Sequence, residues 1–514
     1  MNLIAEVLKI TAGGKQIAII SEESANSLGV HSSDRIKITH GSKEMIAITN
    51  IATHFPRNRI GFYEEISESL GIKGEETVTV EIAEIPESLI HVRAKLRGER
   101  LKEKEIKTIV EDVVERHLSE VEIAAFLTAL NIYGLSIVEN EALSRVMVET
   151  GKKLDFGSTP ILDKHSIGGI PGDKTSLIVV PIIAAAGFTI PKTSSRAVTS
   201  PAGTADRFEI LCPVKLSNIE IKNVVKKTNG CLVWGGALDL APADDLFIQV
   251  EYPLGIDPLL LPSILSKKKA IGATHIVIDI PTGRGAKIKN ITEATTLASD
   301  FVDLGQRLKM NIQCALTFGE QPLGWAVGPA LEAKEALSTI MGNGPDDLKE
   351  KAITLAGMLF EMVGLINGRQ KALHILQSGK AEKKLREIIG EQGGNPKIKP
   401  SEIELGEKIG SLVAAKSGKI SRISNKSIVR IAKAAGAPKA KGSGVILPKK
   451  LGESVKKNET ILEIYAERNT KLKVALELAN KLQPIVLNKK IEEQMLLDKI
   501  PKKFSNQEQF IIER

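Results

Sequence analysis

Two loops rich in glycine and hydroxyl side chains flank one apolar run, and together they could bind an anion. The apolar run covers 177–186, and the loops combine cationic with hydroxyl residues: Lys164, His165, Ser166 and Ser176 before the run, and Ser194, Ser195, Arg196 and Thr204 after it. Glycines let backbone N–H groups approach an anion, hydroxyls donate hydrogen bonds, and Lys and Arg supply charge. The block therefore predicts a site for phosphate or a sugar phosphate, although any single Ser or Thr here is better interpreted as an ordinary loop residue.

Two common phosphate-binding motifs do not account for the first loop. Its segment GIPGDKT at 169–175 is not a Walker A sequence, because Asp173 stands between Gly172 and Lys174. The segment GGIPGD also lacks the G-x-G-x-x-G spacing of dinucleotide-binding proteins. The apolar run is far too short to span a bilayer, and it fits one buried strand or one helix face.

The bulk composition is typical of a globular protein. Of the 514 residues, 42% are hydrophobic and 26% are charged, and the net charge is +8. A basic protein can bind nucleic acid, which is the non-enzymatic alternative. The lysines alternate with glutamates, as in 101–117, which is more typical of solvated helix faces, and no aromatic-basic patch is apparent. We therefore expect no nucleic-acid partner.

Cysteine and histidine spacings predict no metal site. The three cysteines, Cys212, Cys231 and Cys314, are far apart, with no C-x-x-C and no H-E-x-x-H, so we expect buried free thiols in a reducing cytoplasm. The N-terminal residues lack the apolar core and cleavage site of a signal peptide, and no stretch reaches transmembrane length. The sequence predicts a cytoplasmic protein without a membrane partner and without a cofactor.

The patterning predicts a multidomain α/β protein. The predicted divisions are a small β-rich N-terminal domain at 1–86, a helical domain at 87–156 with a second segment near 243–270, a central α/β phosphate- and nucleotide-binding domain with a mixed sheet at 157–404, a small α+β C-terminal domain at 405–490, and a charged tail at 491–514. Ser119 and Glu122 form a predicted capping box. Apolar β-type runs at 177–183 and 275–280 alternate with helical patterns such as 293–308, and 345–390 is predicted to be helical.

The two loops also resemble a known family. The first is similar to the K-H-S-x-G-G-x-G-D-x-T-S signature of the thymidine and pyrimidine-nucleoside phosphorylases, with Pro171 as an extra residue in the glycine turn. That insertion and the run SSRAVTSPAGTAD at 194–206 are more similar to the archaeal AMP (nucleoside monophosphate) phosphorylases. Further matching motifs lie at 234–245, 321–328 and 436–444, and the resemblance covers roughly 90 to 490.

This resemblance implies phosphorolysis of nucleoside 5′-monophosphates. AMP and phosphate would give adenine and ribose 1,5-bisphosphate, with CMP and UMP as further substrates to consider, and no cofactor is needed. The alternative is a thymidine or pyrimidine nucleoside phosphorylase. Anthranilate phosphoribosyltransferase shares the broad architecture, but it would need a magnesium-diphosphate site, for which no acidic pair is apparent. The family forms dimers through its helical domain, so we expect a homodimer or a larger homo-oligomer, with assembly as a reasonable role for the N-terminal domain.

The resemblance also assigns site residues. It implies that inorganic phosphate binds Lys164, Ser166, Ser176, Ser194 and Thr204. It implies that the nucleotide contacts Gly169, Ser195, Arg196, Ala197, Val198, Thr199, Ser200, Thr204, Ser263 and Lys287. His165 would be a second catalytic residue, lying near the base and sugar, and a structural histidine is an equally good interpretation. Asp206 and Arg207 are expected to form only a local ion pair.

Asp257 matches the position of the proton donor to the leaving base. Its carboxyl, between Ile256 and Pro258, would have a raised pKa if it were desolvated. From the residues alone, a plain turn aspartate before proline is the better interpretation. The interval between Asp257 and Ser263 is also two residues shorter than the family pattern.

A second group of cations favours a substrate with a 5′-phosphate. Where nucleoside phosphorylases have G-S-G-A-F, this chain has Gly-Arg-Gly-Ala-Lys at 283–287, followed by Lys289. Arg can grip two phosphate oxygens, while Lys acts as a point charge. A solvated basic loop is the alternative. The segment FIQVEYP lacks the arginine with which pyrimidine nucleoside phosphorylases recognise the pyrimidine ring, although Lys267 matches its partner lysine.

Overall fold

The protein folds into two compact units. A computed structural model describes residues 1–11, 13–157, 160–197 and 200–488, so the predicted ligands Val198 and Thr199 and the predicted charged tail lie outside the described residues. One unit consists of Met1–Lys153 with Asp239–Ala270, and the other of Leu154–Leu238 with the described residues from Ile271 onward. The finer domain limits given above remain predictions.

The first unit begins with a closed β-barrel. Its strands are hydrogen-bonded in the order β1-β5-β2-β4-β3-β6, and the bounds are β1 Asn2–Val7, β2 Ile17–Ser21, α1 Glu22–Leu28, β3 Arg35–His40, β4 Lys43–Ala52, β5 Arg59–Phe62, α2 Glu64–Leu70 and β6 Thr77–Ile82. Successive side chains of a strand point to opposite faces, so Ile36 and Ile38 fill the barrel while Lys37 lies between them at its surface. This alternation explains why the short patterned runs predict a β-rich domain.

Four helices follow the barrel. They are α3 Ser88–Leu96, α4 Glu103–Val114, α5 Glu120–Tyr133 and α6 Ile137–Glu149. The predicted capping box is confirmed: Ser119 Oγ accepts a hydrogen bond from the Glu122 backbone N–H at 3.4 Å, and the Glu122 carboxylate accepts one from the Ser119 N–H at 2.8 Å. Such a box satisfies amide donors that a helix N-terminus would otherwise leave unpaired.

The second unit begins with elements that carry both predicted phosphate loops. They are β7 Leu162–Ser166, α7 Ser176–Ala185, β8 Ile190–Ser194, α8 Thr204–Phe208, α9 Asn218–Thr228 and β9 Gly230–Trp234. The prediction of a β-type run at 177–183 is wrong, because these residues form α7. That helix is buried on all sides, so its apolar run shows neither the strand nor the helix period, and its β-branched residues suggest a strand.

The chain then returns to the first unit through α10 Pro242–Leu254 and α11 Leu260–Ala270. Phe247 of α10 packs against Phe126 of α5, with ring centroids 6.2 Å apart. Both rings are buried, and Leu259 joins the same core. The helical bundle is therefore built from two separate stretches of sequence.

The remaining elements of the central fold are helices around a parallel sheet. They are β10 His275–Thr282, α12 Ile291–Arg307, β11 Asn311–Phe318, β12 Ala326–Val327, α13 Pro329–Ile340, α14 Asp346–Met362, α15 Gly368–Gln377 and α16 Lys380–Glu391. The strand at 275–280 and the helices at 293–308 and 345–390 are confirmed. Strand β10 pairs in parallel with both β7 and β11, and β8 pairs in parallel with β9. The carboxyl ends of β7 and β10 therefore lie at one sheet edge, where α/β folds place ligands.

The C-terminal part is a small α+β fold. Its elements are β13 Lys408–Val413, β14 Gly418–Ile423, α17 Asn425–Ala435, β15 Gly444–Ile446, β16 Ser454–Val455, β17 Thr460–Ala466, α18 Asn469–Leu482 and β18 Ile485–Asn488. Antiparallel pairing enters the predicted central region only at the described strand β12, whose partner is β15. The predicted fold class is confirmed.

Two further sequence predictions concern the thiols and the membrane. Cys212 and Cys231 are free and buried, as predicted, whereas the free Cys314 is partly exposed. Burial raises the pKa of the Cys314 thiol to about 12. Among the described residues, no helix combines the length and the apolar character needed to cross a membrane.

Candidate functional site

The first loop leaves β7 at Ser166 and enters α7 at Ser176. Its glycines Gly168, Gly169 and Gly172 have φ values of 80°, 96° and 82°, in the left-handed region that favours glycine. A Cβ atom on Gly169 would lie 2.5 Å from the backbone nitrogen of Lys287. The absence of a side chain thus lets the first loop contact the loop that carries the predicted 5′-phosphate cations.

Lys164 is a buried cation on β7, just before the first loop. Its ammonium donates a hydrogen bond to Thr175 Oγ1 at 2.7 Å. It also lies 3.5 Å from Asp173 Oδ2 and 3.9 Å from Asp279 Oδ2. These ion-pair distances are longer than a normal hydrogen bond, so neither carboxylate grips the ammonium closely. The group has the charge and position expected of an anion ligand.

Asp173 is held ionised by the cations around it. Burial acts to raise the pKa of its carboxyl, but Lys164, Lys351 and a hydrogen bond from Thr175 together hold that pKa well below its usual range. Lys351 Nζ lies 2.7 Å from Asp279 Oδ2 and 3.8 Å from Asp173 Oδ2. We call Lys164, Asp173, Asp279 and Lys351 the phosphate-loop network.

The other predicted phosphate ligands lie on the same unit. Ser176 is the first residue of α7, where backbone N–H groups favour an anion. Ser166 Oγ accepts a hydrogen bond from the Gly168 N–H at 3.4 Å, and Ser194 Oγ, at the end of β8, donates one to the Val233 carbonyl at 3.1 Å. Both of these hydroxyls therefore already have a backbone partner that orients them.

Short-range hydrogen bonds hold the described residues of the second loop. The Ser195 carbonyl accepts a hydrogen bond from the Ala205 N–H at 3.3 Å, and Ser200 Oγ donates one to the Ala202 carbonyl at 3.0 Å. Thr204 begins α8, and its hydroxyl accepts a long bond from Arg207 at 3.4 Å. The described residues on either side of 198–199 are thus fixed by local hydrogen bonds.

Arg207 links the two loops, so the prediction of a local Asp206–Arg207 ion pair is wrong. Its guanidinium donates to the Asp173 carbonyl at 2.7 Å and to the Ala202 carbonyl at 2.8 Å, and Nε lies 2.5 Å from Glu332 Oε2. Arg207 is buried. A planar guanidinium can bind several acceptors in fixed directions, which suits it to this bridging position.

Arg196 is engaged by carboxylates of its own unit. Its guanidinium pairs with Glu209, which raises its pKa, and with Asp206 at 3.2 Å, and it lies 5.0 Å from the centre of the Trp234 ring. The Ala197 N–H donates to Asp206 Oδ2 at 2.7 Å. The predicted nucleotide contacts of Arg196 and Ala197 would therefore require other backbone atoms or a change of partners.

The loop at 283–289, which we call the cation loop, is only partly available for an anion. The Arg284 backbone N–H and its Nε both donate to Glu320, at 2.9 and 3.0 Å. Lys287 and Lys289 are exposed. Arg284 is thus paired in this structure, and the backbone of Lys287 lies against Gly169 of the first loop.

Asp257 and Ser263 belong to the first unit. Asp257 is exposed in the turn between α10 and α11, so the desolvation that the sequence interpretation required is absent from this structure. The Ser263 N–H donates to the Leu259 carbonyl at 2.8 Å. Lys267 lies 2.6 Å from Asp244 and 2.9 Å from Asp245. Burial acts to lower the pKa of Lys267, but these two carboxylates outweigh it and raise that pKa.

Sequence reasoning missed several buried residues beneath the loops. His165 was found and lies on β7, opposite Ile278 of β10 and partly exposed. Asp279, Lys351 and Glu332 were not found. The sequence does contain one indication of Lys351, because this lysine falls on the apolar face of α14 with Leu348 and Ala352. A lysine at such a position needs a buried partner.

Comparison with known proteins agrees with this arrangement. The model described as "Glycosyl transferase family, a/b domain" matches 158–382, the helical bundle domain of that family matches 91–151, and the pyrimidine nucleoside phosphorylase C-terminal domain matches 419–486. A structure of anthranilate phosphoribosyltransferase from Thermus thermophilus covers 59% of this chain and 98% of its own, with a TM-score of 0.50. Its sequence identity is 20%, so it shows the shared fold alone.

Full-length relatives are much more similar. The AMP phosphorylase of Thermofilum pendens is 48% identical, covering 96% of this chain and 97% of its own length. The AMP phosphorylase of Thermococcus sibiricus is 49% identical over 92% and 95%, and that of Methanosarcina barkeri is 45% identical over 98% and 99%. The resemblance stated from the motifs is confirmed, and the chain belongs to the AMP phosphorylase family.

Proposed function

We propose that this protein catalyses the phosphorolysis of AMP to adenine and ribose 1,5-bisphosphate. The observation that carries the proposal is the contact between Gly169 of the first loop and Lys287 of the cation loop. It brings a loop suited to inorganic phosphate against a loop suited to a 5′-phosphate. The relatives that span nearly the whole chain are named AMP phosphorylases, and a nucleoside phosphorylase is not favoured.

The reaction requires an electrostatic site rather than a covalent one. A phosphate oxygen attacks C1′ as the bond from C1′ to the base breaks, and positive charge develops on the ribosyl ring. Preorganised donors and charges stabilise such a transition state best. We assign phosphate binding to Lys164, Ser166, Ser176, Ser194 and Thr204.

The leaving base must receive a proton as the bond breaks. We assign this general-acid role to Asp257, on the strength of the family resemblance, and place His165 near the base and sugar. Nucleotide binding is assigned to Gly169, Ser195, Arg196, Ala197, Val198, Thr199, Ser200, Thr204, Ser263 and Lys287. The pH dependence of kcat/KM would report the acid in the free enzyme.

The remaining proposals concern the setting of the enzyme. Its substrates are small molecules, a nucleotide and phosphate. We infer a cytoplasmic protein, in keeping with its three widely spaced cysteines, and a homo-oligomer, in keeping with the dimers of the family. CMP and UMP are proposed as further substrates to be compared with AMP.

The first experiment measures base release from AMP, adenosine and thymidine, each with and without phosphate. Phosphate-dependent release of adenine from AMP, with adenosine inert, is the expected result. Release from adenosine or thymidine with AMP inert would instead establish the nucleoside phosphorylase and make the cation loop an ordinary surface loop. Hydrolysis that needs no phosphate would refute both.

A further inference from the structure

Lys351 is a buried lysine beneath the first loop that the proposed chemistry does not yet use. It lies on α14 among apolar residues, with Leu348, Ala352 and Leu355 fully buried on the same helix. Burying an ammonium costs several kcal/mol unless carboxylates or hydrogen bonds offset the lost hydration. Its partners therefore explain why a lysine is found there.

Those partners are the two aspartates that also face Lys164. Burial acts to lower the pKa of Lys351, but Asp173 and Asp279 outweigh that effect and raise it. Lys351 is therefore a permanent cation at neutral pH. Its contact of 2.7 Å with Asp279 is a close ion pair, while Asp173 lies 3.8 Å away.

Lys164 and Lys351 face the same two carboxylates, but only Lys351 makes a close contact with one of them. Lys164 lies 3.9 Å from the Asp279 oxygen that Lys351 holds at 2.7 Å. The four groups of the phosphate-loop network are formally neutral, with two cations and two anions. Because Lys351 takes the close contact, the Lys164 ammonium stays at longer distances and is available to another anion.

We propose that Lys351 is a positioning residue for inorganic phosphate, which neutralises Asp279 so that Lys164 can bind the phosphate. This inference rests on the proposed function, because it concerns the same phosphate site. Lys351 itself does not touch phosphate in this scheme. It acts through Lys164 and through the net charge of the phosphate-loop network.

Replacing Lys351 should weaken phosphate binding selectively. In Lys351→Met the network keeps one cation and two carboxylates, so Lys164 is drawn toward Asp279 and the site becomes negative. We expect the KM for phosphate to rise about tenfold or more, with the KM for AMP nearly unchanged. The matched control is Lys349→Met on the same helix, whose side chain is 28% exposed, and its phosphate KM should equal that of the wild type.

Neutralising the carboxylate should act in the opposite direction. Asp279→Asn leaves two cations and one anion, so phosphate should bind several-fold more tightly than in the wild type. The double variant Lys351→Met with Asp279→Asn restores neutrality and should recover most of the phosphate affinity. A merely structural network predicts the contrary, namely that all three variants weaken phosphate binding, with the double variant weakest.

Phosphate binding is measured by calorimetry on the full chain without nucleotide, beside the kinetic KM values and thermal unfolding. If Lys351→Met does not fold, Asp279→Asn decides alone, and unchanged or weaker phosphate binding in that variant overturns the inference. The predicted pattern of affinities in a protein that releases no adenine from AMP would keep this inference and refute the proposed function. Phosphorolysis of AMP with an unchanged phosphate KM in Lys351→Met would refute only this inference.

Discussion

Each unit of this protein buries a cluster of charged side chains, but the two clusters differ in how completely they are satisfied. In the first unit, Glu139 accepts hydrogen bonds from Lys95 at 2.7 Å, Arg100 at 2.9 Å and the Leu101 N–H at 3.0 Å. In the phosphate-loop network of the second unit, Lys164 lies 3.5 Å or more from both carboxylates. A saturated cluster has nothing left to offer a ligand, whereas a loosely paired cation can exchange its partners for an anion.

From this difference we expect the Glu139 cluster to serve stability and the phosphate-loop network to serve binding. Lys95 is fully buried, and its partner Glu139 also caps α6 through Ser136. The Glu139 carboxylate therefore ties together three elements of the helical bundle. Lys164 lies on a parallel strand whose carboxyl end leads into the glycine-containing first loop, the edge of the sheet where α/β folds place ligands. Substituting Lys95 should therefore change mainly stability, and substituting Lys164 should change mainly activity.

The largest expected effect is that of Lys164→Met on activity. Removing the buried cation that we assign to phosphate should lower kcat/KM for phosphate by about a thousandfold, as loss of a preorganised charged donor does at other sites. The free energy of unfolding should change much less, because the lost ion pairs are long. If Lys164→Met lost as much unfolding free energy as Lys95→Met but kept its activity, Lys164 would be a stabilising residue and not a phosphate ligand.

The next effect is that of Lys95→Met on stability. This change leaves Glu139 buried with part of its partners, and breaking such a pair typically costs about 3 to 5 kcal/mol of unfolding free energy. Urea denaturation measures this loss, with Lys107→Met, an exposed residue of α4, as the control. The KM for phosphate should match that of the wild type when measured well below the unfolding midpoint. A raised phosphate KM would show that the first cluster also affects binding.

The sequence contains enough information for most of the fold and for the part of the site that follows a local pattern. Strand β10 and helix α12 have clear periods, and the capping box of Ser119 and Glu122 is a local signal. Helix α7 was mistaken for a strand because complete burial removes the polar face that would reveal its period. The two loops could be proposed as phosphate loops because their glycines and hydroxyls are close together in the sequence.

The support beneath the loops could not be predicted, because its members are distant in sequence. Asp173, Asp279 and Lys351 meet only when α14 packs under β7 and β10. Arg207 appears in the sequence beside Asp206, which suggests a pair of neighbours, yet helix α8 directs it to Asp173, Ala202 and Glu332 instead. Adjacency along the chain is a poor guide to partners whenever both residues lie on a helix.

Lowering the pH should destabilise the first unit through Glu139, with a somewhat smaller loss of unfolding free energy than Lys95→Met causes. Burial acts to raise the pKa of this carboxyl, but Lys95 and the Leu101 and Ser136 amides outweigh it and lower the pKa from 4.5 to about 2. A depressed folded-state pKa stabilises the protein above the unfolded value, and this stability is lost as the pH falls from 4.5 toward 2. The loss should approach about 3 kcal/mol at most.

Glu139→Gln provides the comparison, because it removes the titrating group while keeping a similar shape. The difference in unfolding free energy between wild type and Glu139→Gln should shrink as the pH is lowered from about 7 to about 3. Asp173 also has a depressed pKa and contributes acid sensitivity of its own, so only this difference isolates Glu139. A difference that stays constant with pH would show that the buried cluster is not ionised as described.

The smallest effect we predict is that of Arg207→Lys. This variant tests whether the loops need the directed hydrogen bonds of a guanidinium or only its positive charge. Lysine keeps the positive charge near Glu332 but cannot donate in the two fixed directions that reach the Asp173 and Ala202 carbonyls. We expect the KM for phosphate to rise about fivefold, with a small loss of thermal stability. Steady-state kinetics at saturating AMP would measure this change. If Arg207→Lys leaves the KM for phosphate unchanged while Lys351→Met raises it, the phosphate-loop network acts through its charge balance alone. The hydrogen bonds by which Arg207 links the two loops would then not be needed for phosphate binding.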